Sequence, residues 1–408
     1  MRVYIEPSVA MGKVLAPPSK SMAHRALICG ALSSGAKINK LAYSKDILAT
    51  LDCLTKMGAK AVQNGERVEI GNLDPFHIEE GTELFCNESG STLRFLIPLC
   101  MLSGKKVVLT GSERLFERPL TIYEEICKER NIFFKREKER VTVCGKLTSG
   151  QYYVPGNVSS QFITGLLFTL PLVTGDSVLT VTGKFESASY IDLTISAMHS
   201  FGIDVKRVEN TFYIKGNQQY KQMDYSVEGD CSNAAFLEGF NLLGGKVDVL
   251  GIDENTLQGD RVYKDIFNGL KNGEKQFELS DCPDLAPVMF AMAAYLGGAT
   301  FSGTARLRIK ESDRASAMAE ELAKFGIETE VFEDSVIIHN GKLQKPEAIL
   351  CGHNDHRIVM ALSLLCSVTG GVIEEAQAVS KSFPDFFDVI SRLGIQVEKQ
   401  GRSNEKNR

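Results

Sequence analysis

Basic residues recur along this 408-residue chain where polar clusters run into apolar segments. Lys20, Ser21 and Arg25 follow Pro18-Ser19, and Arg94 follows Glu88-Ser89-Gly90-Ser91. Arg118 precedes Pro119, while Arg308, Lys310 and Arg314 crowd a single stretch. His356 and Arg357 follow Asn354-Asp355, with Lys381 in the loop beyond. Ser, Asp and Asn cap helices because their side-chain oxygens accept the unpaired N–H groups of a first turn. A cation at that place opposes the helix dipole. The combination makes sense if an anion lies there, accepting from guanidinium forks, ammonium groups and backbone N–H together. Any one of these residues reads as an ordinary surface cation; the set, at equivalent places in successive segments, does not. Two carboxylates keep them company. Glu311 adjoins Lys310, and Asp284 follows Pro283 at the start of an apolar segment, where burial raises a carboxyl pKa and a nearby Lys lowers it. Such groups suit general acid–base work. Asp284 reads equally well as an N-cap.

The elements that position these residues form an internal repeat. Six apolar helices start in polar clusters and stop at Gly35, Gly104, Gly175, Gly245, Gly298 and Gly371, at spacings of 69, 71, 70, 53 and 73 residues. Each glycine is expected to supply a left-handed C-cap, followed by an apolar strand such as Val107–Thr110. An amphipathic helix follows, such as Ser316–Lys324, and then alternating strands such as Ala61-Val62 and Val68–Ile70 around Asn64-Gly65. Helices that are apolar on all faces are expected to be buried, and crossover helices imply parallel strand pairing. Six units divide as three plus three, with the boundary near residues 224–229 ahead of the short fourth unit. The strand Arg2–Ile5 is expected to pair with the C-terminal half, and residues 402–408 to fray. A repeat that only presents a surface, like a solenoid, is the architectural alternative.

Composition removes several classes. Net charge is −5 (46 basic against 51 acidic residues), so no general basic surface advertises nucleic acid. No signal peptide and no membrane span of roughly 18 apolar residues is expected. The ten cysteines include no CxxC pair and read as small core residues of a reducing, cytoplasmic compartment. Pro17-Pro18-Ser19-Lys20-Ser21 lacks the glycine frame of a P-loop, and Cys351–His356 matches no common metal spacing.

Seven motifs taken in order resemble the 5-enolpyruvylshikimate-3-phosphate synthase family, the enolpyruvyl transferases inhibited by glyphosate. They are Leu15–Ser21 with Arg25, Ser89–Arg94, Glu117–Leu120, Ser159–Phe162, Arg308–Arg314, Asn354–Arg357 and Lys381–Asp385, within residues 12 to 390. The resemblance implies an α/β fold of two lobes, each of three βαβαββ units with buried helices in an inside-out barrel-like arrangement, hinge-closing over a cleft. The lobes would be residues 13–225, and 1–12 with 226–408. It implies transfer of the enolpyruvyl group of phosphoenolpyruvate to the 5-hydroxyl of shikimate 3-phosphate, with release of phosphate and without metal or organic cofactor. A cytoplasmic monomer, acting on small molecules with no nucleic-acid or membrane partner, goes with it. By position, Ser159, Ser160 and Ser187 would hold the shikimate phosphate, Arg25 and Ser21 its carboxylate, and Gln161 and Tyr190 would lie along the ring. Gly90, Arg118, Gln161, Arg314, Arg357 and Lys381 would bind phosphoenolpyruvate, with Lys20 and Lys310 between the ligands. Asp284 would take the 5-hydroxyl proton, Glu311 would exchange one with the methylene, and His356 would assist. Glu88 and Phe95 depart from the family's common residues beside the inhibitor pocket, and Arg306 stands where some members use Asn. The sister transferases acting on UDP-N-acetylglucosamine carry Lys-Asn where this chain has Lys20-Ser21, and a loop cysteine absent from Ser112–Arg118. A non-catalytic polyanion-binding scaffold would tolerate loss of Asp284 and Glu311; an enzyme would not.

Overall fold

The computed structural model describes residues 1–400; the tail expected to fray at 402–408 lies outside them. Six helices carry the architecture: α1 (Lys20–Leu32), α2 (Gly90–Cys100), α3 (Ser160–Thr169), α4 (Cys231–Leu242), α5 (Ala286–Tyr295) and α6 (His356–Thr369). In α5 every residue from Ala286 to Ala294 is buried, which only a helix inside the core can sustain. The second helices differ. In Tyr263–Lys271 the buried residues are Tyr263, Ile266, Phe267 and Leu270, a single stripe at helical spacing.

Five of the six polar clusters cap their helices as expected. Ser19, Ser89, Ser159, Asp230 and Asp355 accept from the backbone N–H groups of Met22, Thr92, Gln161, Asn233 and Arg357. The exception is the cluster before α5. There Cys282 occupies the cap of a 3-10 turn, Pro283–Leu285, without a side-chain cap bond, and Leu285 precedes α5 likewise. The expected glycine stops need a correction at two places. Gly35, Gly104, Gly175 and Gly298 have positive φ, but after α4 and α6 the positive φ falls on Gly244 and Gly370, not on Gly245 and Gly371, and Gly370 pairs it with an extended ψ of 160°. Gly245 and Gly371 serve close approach instead: an added Cβ would meet the Phe240 carbonyl at 2.7 Å and Cys366 Sγ at 2.6 Å.

The chain divides into two compact units, Pro18–Glu228, and Met1–Pro17 with Gly229 onward. In the first, α1, α2 and α3 share one core with three four-stranded sheets. Two of those sheets follow the expected order. Thr82–Phe85 runs parallel to Val107–Thr110, which is antiparallel to Arg140–Cys144, itself paired with Phe133–Arg136. Gly150–Pro155, Ser177–Thr182, Thr211–Ile214 and Val205–Val208 repeat that order. The third sheet borrows a strand: Ala36–Asn39 pairs in parallel with Met223–Ser226 from the unit's far end.

In the second unit α4, α5 and α6 sit in a separate core. Its fifth repeat is regular, Gln276–Glu278, Ala299–Ser302, Ser335–Ile338 and Thr329–Val331. The sixth is completed by the N-terminal strand Arg2–Glu6, which lies antiparallel between Gly371–Glu374 and Gln396–Gln400. The fourth is a two-stranded sheet of Met11–Leu15 and Lys246–Leu250 with no closing hairpin, which is why its glycine spacing is short. Units one, four and six therefore depart from a chain-continuous βαβαββ plan. A division after residue 12 would cut Met11–Leu15, all five residues of which pair in register; the chain crosses after Pro17 instead. The return crossing, Glu228-Gly229, falls within the expected 224–229 stretch, three residues past the 225–226 lobe bound, after Met223–Ser226 has paired. Among the described residues the four-stranded sheets are mixed, none closes into a barrel, and no helix is long and apolar enough to cross a membrane.

Candidate active site

The unit Pro18–Glu228 ties two buried arginines, Arg25 and Arg94, to carbonyls, a hydroxyl and an amide. Arg25, two turns into α1, is buried and donates from Nε to Thr194 Oγ1 (2.9 Å), from Nη1 to the Ser21 carbonyl (2.7 Å) and from Nη2 to the Tyr190 carbonyl (2.8 Å). Its guanidinium lies 5.5 Å from the Phe95 ring centre, and burial lowers its pKa to about 10. It is thereby fixed to the helix Ala188–Ser200, which Ser187 enters in a left-handed conformation (φ 56°). Ser159 caps α3 and Ser160 is its first residue. Gln161 follows: its Oε1 accepts from Arg94 Nη1 at 2.7 Å and its Nε2 donates to Ser91 Oγ at 3.0 Å. Arg94 also donates to the Pro119 carbonyl (3.1 Å), so one guanidinium ties α2, α3 and the loop of Arg118 together. Arg118 itself is buried against the start of α2. A Cβ on Gly90 would come within 2.7 Å of its Nη1, so glycine is what lets the fork lie at that helix N-terminus.

Lys20 differs from those two arginines, pairing with the Asp46 carboxylate at 2.8 Å. One turn on, His24 Nδ1 bonds Thr50 Oγ1 (2.8 Å), Thr50 bonds Thr92 (2.6 Å), and Thr92 donates to Ser89 Oγ (2.7 Å), the cap of α2. Burial first, then Lys20 and Arg25, hold His24 well below the usual histidine range, so its imidazole is neutral.

The second unit meets its cations with carboxylates. Asp284 Oδ1 accepts from Arg314 Nη1 at 2.8 Å and from Lys310 Nζ at 3.3 Å; its Oδ2 accepts from Arg357 Nη2 at 2.9 Å. Arg314 is fully buried and also reaches Glu311 Oε2 (2.7 Å) and Asp355 Oδ2 (2.9 Å). Asp355 accepts as well from Ser312 Oγ (3.2 Å) while capping α6, so that His356 and Arg357 issue from a helix start held by Arg314. Lys381 Nζ donates to the Asn354 carbonyl in the same loop. Burial alone would raise the Asp284 carboxyl, but Arg357, Lys310 and Arg314 outweigh it and hold it well below the usual range. Asp284 is therefore a compensated anion here and not a helix cap. Burial lowers Lys310 to about 8 despite that carboxylate.

Sequence reasoning names Asp284, Lys310, Glu311, Arg314, His356, Arg357 and Lys381, and these occupy one neighbourhood of the second unit. Lys20, Ser21, Arg25, Gly90, Arg118, Ser159, Ser160, Gln161, Ser187 and Tyr190 all belong to the first unit. Sequence reasoning names Arg94 among the cations without giving it a role, and gives none to Asp355 or Asp260. Arg94 and Asp355 were readable, as a basic residue behind Ser89-Gly90 and as a cap in Asn354-Asp355. Asp260 carried no signal: it is buried, accepts from the Ser232 hydroxyl, and is pushed up to about 7 by burial and by facing Asp284, against the pull of Arg357. Among the described residues one His/carboxylate group has metal-like spacing, Glu320, Glu321 and His353, with ligand atoms within 4.8 Å of one another. Lys324 already lies on both oxygens of that Glu321.

Residues 6–390 match the family described as EPSP synthase (3-phosphoshikimate 1-carboxyvinyltransferase). The chain is 41% identical to the 3-phosphoshikimate 1-carboxyvinyltransferase of Clostridium kluyveri, covering 97% of this chain and 98% of that protein. The chain belongs to the EPSP synthase family. The enzyme of the same name from Clostridium acetobutylicum is 39% identical over similar coverage, 97% and 98%. The fold agrees with solved structures. EPSP synthase from Acinetobacter baumannii superimposes with a TM-score of 0.79 at 23% identity, over 97% of this chain and 99% of that one. The enolpyruvyl transferase NikO from Streptomyces tendae does so with 0.74 at 14% identity, over 97% and 98%. At those identities the likeness speaks for the fold alone.

Proposed function

We propose that this chain transfers the enolpyruvyl group of phosphoenolpyruvate to the 5-hydroxyl of shikimate 3-phosphate, releasing phosphate, as its family name states. The observation that carries the residue assignment is the set of cations gathered on Asp284. Arg314, Arg357 and Lys310 converge on one carboxylate, which occupies the forks that a phosphate or carboxylate of phosphoenolpyruvate would take. A bound trianion would draw those cations away. Asp284 would then lose the charges that depress it, and burial would raise it into the range of a general base. On this reading it takes the proton of the 5-hydroxyl as the C–O bond to C2 forms.

The methylene carbon is protonated in the same addition, with Glu311 exchanging that proton and Lys310, at about 8, able to give one near neutral pH. Elimination reverses the methyl protonation, breaks the C2–O bond to phosphate and restores the double bond. Positioned charge and proton transfer suffice for both steps. The family resemblance assigns phosphoenolpyruvate to Arg118, at the Gly90 helix start, and to Gln161, Arg314, Arg357 and Lys381, and assigns Lys20 to both ligands. Arg25, with Ser21, is the carboxylate fork for shikimate 3-phosphate, and Ser159, Ser160 and Ser187 take its phosphate. Tyr190 and Gln161 line the ring, and His356 supports Glu311's exchange. Ten free thiols support a reducing, cytoplasmic setting. The test is phosphate release from phosphoenolpyruvate, with shikimate 3-phosphate and separately with UDP-N-acetylglucosamine. Release with the first alone is expected; release with the second alone would overturn the assignment.

A further inference from the structure

The loop that feeds α6, Cys351–Asp355, is held in a shape that it would not keep unaided. His353 and Asn354 are consecutive non-glycine residues at φ 48° and 47°, a conformation that L side chains avoid. Glu321, fully buried on the helix Arg314–Lys324, secures the first half. Its Oε2 accepts from the Cys351 N–H at 3.0 Å, its Oε1 from His353 Nε2 at 3.0 Å, and Lys324 Nζ bridges both oxygens at 2.8 and 3.0 Å. Glu375 Oε2 accepts the Asn354 N–H at 2.7 Å, and the Asn354 carbonyl receives Lys381. At the loop's far end Asp355 receives Arg314 Nε at 2.9 Å. Arg314 and Glu321 lie seven residues apart, two turns along one helix face, so a single helix grips the loop at both ends.

We propose that Glu321, acting through the Cys351 N–H and His353, is a positioning residue for Lys381 and Arg357 that sets phosphoenolpyruvate affinity without touching substrate. The inference rests on the assignment of those two cations to phosphoenolpyruvate. A buried charge used only as a staple is no more stabilising than an apolar pair of the same volume. Glu321's bonds instead bracket the first of the two left-handed residues that set the Asn354 carbonyl, the partner of Lys381.

Steady-state kinetics of the full chain test it. Glu321→Gln, which keeps the volume but loses the charge, should raise KM for phosphoenolpyruvate about tenfold while kcat and KM for shikimate 3-phosphate stay within about twofold. His353→Ala should do the same more weakly. His353→Gln, whose amide can donate to Glu321, should restore most of the affinity. An unchanged phosphoenolpyruvate KM, or equal losses in kcat and in both KM values, would overturn the proposal. If Glu321→Gln does not fold, the His353 pair decides by the same criteria. Wild-type enzyme silent with both substrates would sink the assignment of function and this inference together; active wild type with unaltered variants would sink this inference alone.

Discussion

The two units solve one problem, holding buried cations, by different means. Arg25 and Arg94 of the unit Pro18–Glu228 donate to carbonyls, a hydroxyl and an amide. Arg314, Arg357 and Lys310 of the other unit face Asp284, Glu311 and Asp355. Neutral partners make a rigid anion site whose geometry precedes its ligand. Carboxylate partners make a site whose charges rearrange when a ligand anion arrives, and charge rearrangement is what moves protons. On the proposed assignment, most of the shikimate 3-phosphate contacts fall in the first unit and the proton chemistry in the second.

The sharpest way to break that comparison is Asp284→Ala. If the second unit holds the base, kcat should fall roughly 10²–10⁴-fold, the usual worth of a positioned acid–base group, while shikimate 3-phosphate still binds in a titration. Retained turnover would return the proton chemistry to other residues. Gly90→Ala probes the first unit. Its methyl would press on the Arg118 fork at 2.7 Å, and the displaced charge-assisted contacts should cost about 10–100-fold in phosphoenolpyruvate KM with little change in kcat. An equal loss in kcat would mean that the fork acts in the transition state as well. A pH profile sharpens the contrast further. Lys310 of the free enzyme loses its proton as pH rises through about 8, so kcat/KM should decline there, and Lys310→Arg should move that limb upward.

How much of this was legible beforehand follows from what each residue's signal depends on. Apolar helices, their caps and the glycine period are local, and five of six caps fall where Ser and Asp predict them. Strand exchange was not local. Nothing in Met11–Leu15 or Met223–Ser226 states that each pairs away from the helix it precedes, because pairing is decided by the folded sheets. The same holds inside the site. Arg314 stands out by its motif and Asp284 by its place before an apolar helix, but neither shows that Asp284 meets three cations, which reverses the pKa shift expected from burial alone. Asp260 lay beyond reach, since an isolated Asp before a short helix looks like any solvated acid.

Asp260 also yields the smallest predicted effect, and the one that best separates the two ways of holding charge. Burial and Asp284 raise its folded pKa to about 7 from an ordinary carboxyl value. The native state thus holds a proton that the unfolded chain releases near pH 4. Its contribution to stability is fully present below that pH and is lost as pH rises through about 7, the reverse of a salt-bridged carboxylate. Asp260→Asn keeps the shape and an acceptor for Ser232 without a charge to bury. It should raise Tm more at pH 8 than at pH 5 in paired thermal melts. A larger gain at pH 5, or a loss at pH 8, would show that Asp260 is held as an anion by Arg357. The second unit would then keep all its cations compensated, with no carboxyl in reserve.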